Sequence, residues 1–293
     1  MIMPALFERC FRIRHHECDA YGHVNHANYL RYMQETAFDA SAAVGYSIAD
    51  YETMGRFWLV LENEITFLRP LSYGDSVIVK SWVADFRRVR SRRMYEMRLA
   101  TTGELVAKAY TDWVFLDSAT LRPATIPAEM VAAFLPDGPS ATPVQRERFP
   151  KPPAPPPSVF RTRRRVNWRD IDMAQHVNNS NYLAYLEDCG IELVRSEGWP
   201  VARMTEAGFG IIARQYRIEY KEPALMDDEL EIVTWVSDVK RATAVRHYTV
   251  SRVVDGQLLA RARALWVWVN LETGKVIRIP TNFIADMADN IVP

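Results

Sequence analysis

Apolar residues recur at helical spacing in two places along the chain. Tyr29, Met33, Ala37, Ala40 and Val44 form one stripe, ended by Gly45. Tyr182, Leu186, Cys189 and Leu193 form the other, and Gly198 takes the terminating position, where a positive φ is often needed. A strand-like run leads into each stripe, Phe7 to His16 and Phe160 to Arg169. A loop or short helical segment, Tyr46 to Arg56, follows the first, and then the period changes to two. Strands are predicted over Phe57 to Phe67, Asp75 to Phe86, Arg92 to Ala100 and Glu104 to Leu116, with turns such as Thr101 to Gly103 and Val254 to Gly256. The alternation is clearest where Ala260, Ala262, Ala264, Trp266 and Trp268 interleave with Arg261, Arg263, Leu265 and Val267; Leu230, Ile232, Thr234 and Val236 likewise alternate with partners that include Glu229 and Glu231. Strand, long helix, then four strands joined by short turns predicts an α+β unit: a largely antiparallel sheet against which the single helix buries its stripe.

The pattern is written twice. Asp19 to Tyr32 reads DAYGHVNHANYLRY and Asp172 to Tyr185 reads DMAQHVNNSNYLAY, identical at eight of fourteen positions and 153 residues apart. The same offset carries Gly45 onto Gly198, Pro70 onto Pro223, Asp75 onto Asp228, Trp82 onto Trp235 and Pro127 onto Pro280. Such a period marks two tandem folding units. Residues 136–157 between them hold nine of the seventeen prolines, which predicts an extended linker at ~3.1 Å per residue. The expected division is a first domain over 1–135, a linker over 136–158 and a second domain over 159–293.

Composition narrows the class. With 48% hydrophobic and 25% charged residues the chain reads as globular, and 36 basic against 36 acidic residues give no electrostatic reason to expect nucleic acid or a membrane surface as partner. Cys10, Cys18 and Cys189 lack a Cys-x-x-Cys spacing, which fits a reducing compartment. The start MIMPALFERC lacks a signal-peptide pattern and no apolar run approaches the ~18 residues of a membrane span, so a cytoplasmic protein is expected.

Four ionisable or amide positions of the motif are the same in both copies: Asp19 and Asp172, His23 and His176, Asn25 and Asn178, Asn28 and Asn181. They fall in the loop entering the long helix and in its first turn, where unpaired N–H groups and a partial positive charge can polarise a carbonyl and hold a developing oxyanion. A carboxylate just upstream can act as general base or nucleophile, or it can merely brace the loop. Asn25 and Asn178 read as helix caps, and an imidazole at 23 or 176 either orients the carboxylate or a water, or bonds the loop backbone. His15, His16, Asp19, His23 and His26 crowd together as a metal set would, but the other copy has Trp168, Arg169, Asp172, His176 and Asn179 there, so no metal is expected.

The pattern D-x-x-x-H-V-N-x-x-N-Y-L, followed by a long helix and by strands with Pro70 and Asp75 in FLRPLSYGD, resembles hotdog-fold thioesterases of the 4-hydroxybenzoyl-CoA thioesterase type; DMAQHVNN also resembles the motif of acyl-carrier-protein thioesterases. The resemblance implies two tandem hotdog domains packed as the subunits of a hotdog dimer pack, each a sheet wrapped on one long central helix. It implies an aspartate base or nucleophile at Asp19 and Asp172, and oxyanion-binding backbone N–H groups near His26 and Asn179. Carrier-protein enzymes have Asn two residues after the Asp; Tyr21 and Ala174 stand here, so acyl-CoA is the expected substrate and an acyl carrier protein the alternative. Arg87, Arg88, Arg90, Arg92 and Arg93, with Lys240, Arg241 and Arg246 among their counterparts, form a basic cluster; Arg88, Arg90 and Arg241 are candidate contacts for CoA phosphates, or else keep an exposed hairpin soluble and unpaired. The expected function is hydrolysis of an acyl-CoA to free acid and CoA without metal or redox cofactor. The rivals are a non-catalytic acyl-CoA-binding module and an enoyl-CoA hydratase, and a homo-oligomer of double units is left open.

Overall fold

The structure, a computed structural model, describes residues 5–138 and 144–292. Residues 1–4 of the expected first domain, 139–143 of the expected linker and residue 293 lie outside the described residues. Contacts within the chain divide it into two compact units, Met1–Arg148 and Phe149–Pro293.

In the first unit, β1 (Phe7–Arg12) leads through a 3-10 turn (His15–Glu17) and the motif loop to α1 (His26–Ala43) and a short α2 (Ile48–Thr53). Four strands follow: β2 (Arg56–Phe67), β3 (Ser76–Phe86), β4 (Arg90–Leu99) and β5 (Leu105–Asp117), then α3 (Ala128–Phe134). The strands run in the order β1-β3-β4-β5-β2, and every pair is antiparallel. The second unit repeats this with β6 (Phe160–Arg165), a 3-10 turn (Trp168–Asp170), α4 (Asn179–Ser196), α5 (Val201–Glu206), β7 (Phe209–Tyr220), β8 (Glu229–Ser237), β9 (Thr243–Arg252), β10 (Leu258–Asn270) and α6 (Thr281–Asp286). Its order is β6-β8-β9-β10-β7, again antiparallel. These are two tandem hotdog units of the α+β class.

The two periods of the sequence meet in the core of each unit. Every second residue of β3 is buried, and α1 covers that face with Tyr29, Leu30, Met33, Ala37 and Ala40. Each long helix closes in the same way: Tyr46 N–H donates to Ser41 O at 2.9 Å and Trp199 N–H to Val194 O at 2.7 Å, across Gly45 and Gly198 in the left-handed region. Three details differ from the sequence reading. The first strand stops at Arg12 because the chain turns into a 3-10 segment at His15, the helices begin at His26 and Asn179, and short helices α3 and α6 follow Pro127 and Pro280.

The end of the proline-rich stretch is fastened to the first unit by charge. Arg146 donates through both Nη atoms to the carboxylate of Asp85, and its Nε lies 3.3 Å from Asp112 Oδ1. Asp112 in turn takes two bonds from Arg92, its cross-strand neighbour. Three residues on, at the start of the second unit, the Phe149 ring lies under Arg217 and Arg261 of that unit, at 5.3 and 4.6 Å. Asp85 and Asp112 are each 8% exposed, so removing a guanidinium strands buried charge. Arg146→Met is expected to destabilise the first unit by about 3 kcal/mol, the low end for a broken buried pair because Arg92 remains. Urea denaturation measures it, and limited proteolysis of the stretch around Arg146 is expected to quicken.

In the second unit His247 is 6% exposed, stacks on Trp235 and shares a 2.8 Å hydrogen bond with Ser237 Oγ. Burial first, and then the charge of Arg263, hold its pKa down at about 4 against an ordinary 6.5. The unfolded chain therefore binds this proton more readily than the folded one, and stability is expected to fall as pH drops from about 6.5 towards about 4. In His247→Gln that component of the pH dependence disappears, as urea midpoints at about pH 7 and about pH 5 will show.

Candidate active site

The motif loop is built on one backbone carbonyl. Glu17 O accepts from Asn25 N–H at 2.8 Å and from Asn28 Nδ2 at 2.9 Å; in the second unit Asp170 O accepts from Asn178 N–H at 2.9 Å and from Asn181 Nδ2 at 3.0 Å. The repeated Asn28 and Asn181 are therefore buried clamps that tie the helix's first turn to the 3-10 segment before the loop. Between the ends of this clamp the chain makes a tight turn. Asp19 N–H donates to His23 O at 2.7 Å and Gly22 N–H to Asp19 O at 3.0 Å; Asp172 and Gln175 repeat both bonds at 3.1 and 3.0 Å. The turn needs a left-handed residue at its fourth position, which is Gly22 at φ 76° in one unit and Gln175 at φ 63° in the other.

A second set of bonds staples the loop to the connection between the second and third strands of its sheet. Val24 N–H donates to Leu71 O at 2.8 Å and Val177 N–H to Ala224 O at 2.9 Å. The Tyr182 hydroxyl accepts from Ala224 N–H at 3.0 Å, and burial pushes its pKa up to about 12, so it stays protonated. Tyr29, bonded to the Leu71 backbone, is raised in the same direction for the same reason.

The aspartates sit half-buried on this frame, and their oxygens are used differently. Asp19 Oδ1 accepts from Tyr21 N–H at 2.8 Å and from His23 N–H at 3.2 Å, while among the described residues nothing donates to its Oδ2. Asp172 Oδ1 accepts from Ala174 N–H at 2.9 Å, and its Oδ2 accepts from Asn178 Nδ2 at 2.9 Å. Asn25 and Asn178 are the N-caps: Asn25 Oδ1 accepts from Ala27 N–H at 3.0 Å, Asn178 Oδ1 from Ser180 N–H at 2.9 Å. Asn178 thus caps its helix with oxygen and holds the aspartate with nitrogen.

His26 and Asn179 are the first residues of α1 and α4, so their N–H groups lie at the positive end of the helix dipole. The neighbouring side chain differs between units. The His26 ring meets the edge of Phe67 at 4.6 Å, whereas Tyr220 at the matching position donates its hydroxyl to Asn179 O at 2.9 Å. His23 and His176 lie on the same turn as the aspartates, half-buried. His176 Nδ1 lies 3.3 Å from Val177 O and donates to it, and its Nε2 is shielded from solvent.

Arg88, Arg90 and Arg241 are not brought to the motif loop of their own unit. They sit in or beside the hairpin turns after β3 and β8, whereas the loop lies by the first residues of those strands; at ~3.3 Å per residue that is about 33 Å away along β3 and about 26 Å along β8. Among the described residues no group of three or more His, Cys, Asp or Glu side chains is placed to hold a metal ion. No described helix is long and apolar enough to cross a membrane. Sequence reasoning missed the acid before the loop: Glu17 and Asp170, at matching positions, are 7% and 6% exposed and accept from Arg14 N–H and Asn167 N–H at 2.7 and 2.9 Å. Their matching offset was the signal.

Comparison with known proteins places this geometry in context. A sequence profile described as the thioesterase-like superfamily matches residues 13–134 and again 166–288. An acyl-[acyl-carrier-protein] hydrolase, FATB2, of Cuphea viscosissima is 24% identical over 271 residues, which cover 89% of this chain and 62% of that one; the chain thus spans less than two thirds of the length of that relative. Among solved structures, one from Lactobacillus plantarum described as an oleoyl thioesterase has a TM-score of 0.78 at 18% identity, covering 90% of this chain and 96% of the other. The 12:0-ACP thioesterase of Umbellularia californica has a TM-score of 0.71 at 22% identity, covering 89% and 93%. The likeness to these two structures is one of fold.

The double acceptance at Glu17 O and Asp170 O is testable. Asn28→Ala and Asn181→Ala each remove one buried donor and are expected to cost their own unit about 1–3 kcal/mol. Chemical denaturation of each variant gives the loss, and faster amide exchange at the motif loop is expected alongside it.

Proposed function

Because the chain belongs to the thioesterase-like superfamily, we propose that it hydrolyses an acyl thioester, with Asp19 as the principal carboxylate and the first-turn N–H groups at His26 and Asn179 as oxyanion donors. The observation that carries this reading is the Asp19 carboxylate held in the tight turn that leads into α1. One oxygen is fixed by two backbone N–H groups and the other is available to take a proton. In the reaction, water oxygen adds to the thioester carbonyl while its proton passes to Asp19; the oxyanion is held by helix-start N–H groups. Collapse of the adduct breaks the C–S bond, and the thiolate leaves and is protonated. Nucleophilic attack by Asp19 itself, giving an anhydride that water then cleaves, uses the same geometry. Asn25 and Asn178 act as caps and, in the second unit, as a carboxylate clamp; His23 and His176 shape the turn that carries the carboxylate.

For the carrier, an acyl carrier protein is the favoured partner. The two-unit relatives in Cuphea and Umbellularia bear that name, and the arginines expected to hold CoA phosphates lie far from the motif loop of their own unit. Acyl-CoA stays the second reading, on the strength of Tyr21 and Ala174 where carrier-protein enzymes have Asn.

Thiol release from matched acyl-carrier-protein and acyl-CoA panels tests both levels. Asp19→Asn is expected to lower kcat about 100-fold or more, the lower range of general-base contributions. Asp172→Asn, whose carboxylate has both oxygens engaged, is expected to lower it less than about tenfold. Undiminished hydrolysis in the double variant would overturn the mechanism. Tight binding of acyl thioesters without turnover by the wild type would leave an acyl-binding module instead.

A further inference from the structure

The approach to the motif loop, the loop itself and α1 all meet at Glu17. Its backbone carbonyl takes the two bonds that fix the helix start, from Asn25 and Asn28. Its buried carboxylate takes the Arg14 N–H at 2.7 Å, and its own N–H returns a bond to Arg14 O at 3.1 Å. Tyr32, on the second turn of α1, lies close enough to feel the acid: burial first, and then the charge of Glu17, push its pKa up and keep its hydroxyl protonated. Asp19 is the second residue after this junction.

The second unit builds the same junction with a shorter acid. Asp170 takes the Asn167 N–H at 2.9 Å and returns a bond to Asn167 O at 2.9 Å, while burial, and then the Asp170 charge, raise the pKa of Tyr185. The cation is what differs. Arg14 Nε lies 3.7 Å from Glu17 Oε1, but Asn167 stands at the matching position. The recurring partner is therefore the backbone N–H three residues earlier, and the acid serves as a hydrogen-bond acceptor rather than as half of an ion pair.

A turn closed in both directions resists rotation, because a change in the dihedrals between residues 14 and 17 weakens one bond or the other. Without the carboxylate the Arg14 N–H loses its acceptor, and only the bond from Glu17 N–H holds the 3-10 turn. The Glu17 carbonyl is then free to swing relative to Asn25 and Asn28, and Asp19, two residues on, moves with it. A displacement of about 1 Å at a reacting group can cost about 100-fold in rate, so a small rotation at this turn reaches the chemistry.

We infer that Glu17 is a positioning residue for Asp19: its carboxylate locks the 3-10 turn whose carbonyl anchors the loop, and so sets where the Asp19 carboxylate stands relative to the helix-start N–H groups. It acts through the backbone and not on the substrate. The inference rests on the proposed hydrolysis at Asp19, to which it adds a residue.

The test is a double-mutant cycle on thiol release from the acyl thioester that the wild type turns over fastest, with thermal unfolding to check that each variant folds. Glu17→Met keeps the bulk and removes the acceptor; it is expected to lower kcat about tenfold and to leave KM within about twofold. Placed in Asp19→Asn, the same change is expected to lower the residual rate less than about twofold, because its effect passes through a carboxylate that is gone. Glu17→Gln, which keeps an acceptor for the Arg14 N–H, is expected to restore kcat to within about threefold of the wild type. Should Glu17→Met not fold, Glu17→Asp, with its acceptor drawn back from Arg14, takes its place in the cycle. A folded Glu17→Met protein with wild-type kcat, an equal loss with and without Asp19, a change confined to KM, or a Glu17→Gln protein as slow as Glu17→Met would each overturn the inference. Wild-type hydrolysis by Asp19→Asn would overturn the reading beneath it as well, whereas a crippled Asp19→Asn beside a fully active Glu17→Met would overturn the positioning role alone.

Discussion

The backbone carbonyl at position 17, and its copy at 170, is the constraint on which each motif loop depends. A carbonyl has two lone pairs, and both are used here, by the cap residue's own N–H and by the amide of the asparagine three residues on. The pair of bonds closes a ring around the loop and fixes where the helix begins relative to the turn that carries the aspartate. With that ring closed, the carboxylate and the helix-start N–H groups are held by main chain rather than by long side chains. Little conformational entropy is then left to lose when a substrate arrives. Stapling through Val24 and Val177 extends the same logic to the sheet.

Charge is treated in two opposite ways on neighbouring positions of one strand. Arg92 points to the face where Asp112 is its cross-strand partner, and two hydrogen bonds and a tyrosine ring at 3.8 Å surround it. Arg93, one residue on, points to the other face, under the helices, with a serine and an aromatic ring for company, and burial pushes its pKa down. A period of two separates a satisfied ion pair from an under-compensated cation. Desolvation is the larger effect on the second face because no carboxylate is there to oppose it. A buried cation kept in both copies of the repeat is a cost each sheet bears at the same place.

Most of the architecture was legible because it rests on periodicity and repetition. The 3.6 and 2.0 periods located the helices and strands, and the 153-residue offset located the second unit from the first. The N-caps were legible because Asn before a helix has one dominant use. What was hidden is long-range or directional. Nothing local tells that Arg146, deep in a proline-rich stretch, reaches Asp85 sixty-one residues earlier. The identity of Asn28 and Asn181 showed that an amide is needed, but not that it points backwards at a carbonyl rather than outwards at a substrate. The arginine cluster looked like one feature in sequence, yet strand alternation and the length of β3 scatter it between a sheet face, a helix-covered face and an exposed turn. α3 and α6, at seven and six residues, are too short for a period to register, and their positions follow from packing.

The two copies of the motif share a backbone and differ in how they use it. The turn bonds from Gly22 and Gln175 have the same length, 3.0 Å, although Gln175 adopts the left-handed conformation against the preference of a residue with a Cβ. The frame therefore dictates the turn, and the side chain yields to it. On that common frame the two carboxylates part company: Asp19 gathers two main-chain N–H groups on one oxygen, and Asp172 spreads its bonds over both, one of them from Asn178. Since the backbone does not distinguish the units, the difference lies in how the carboxylate group is turned and in where an asparagine amide points. Both are soft degrees of freedom next to a rigid turn. A duplicated site can thus diverge in reactivity without any change to its fold, because the clamp that sets the loop is separate from the bonds that set the acid.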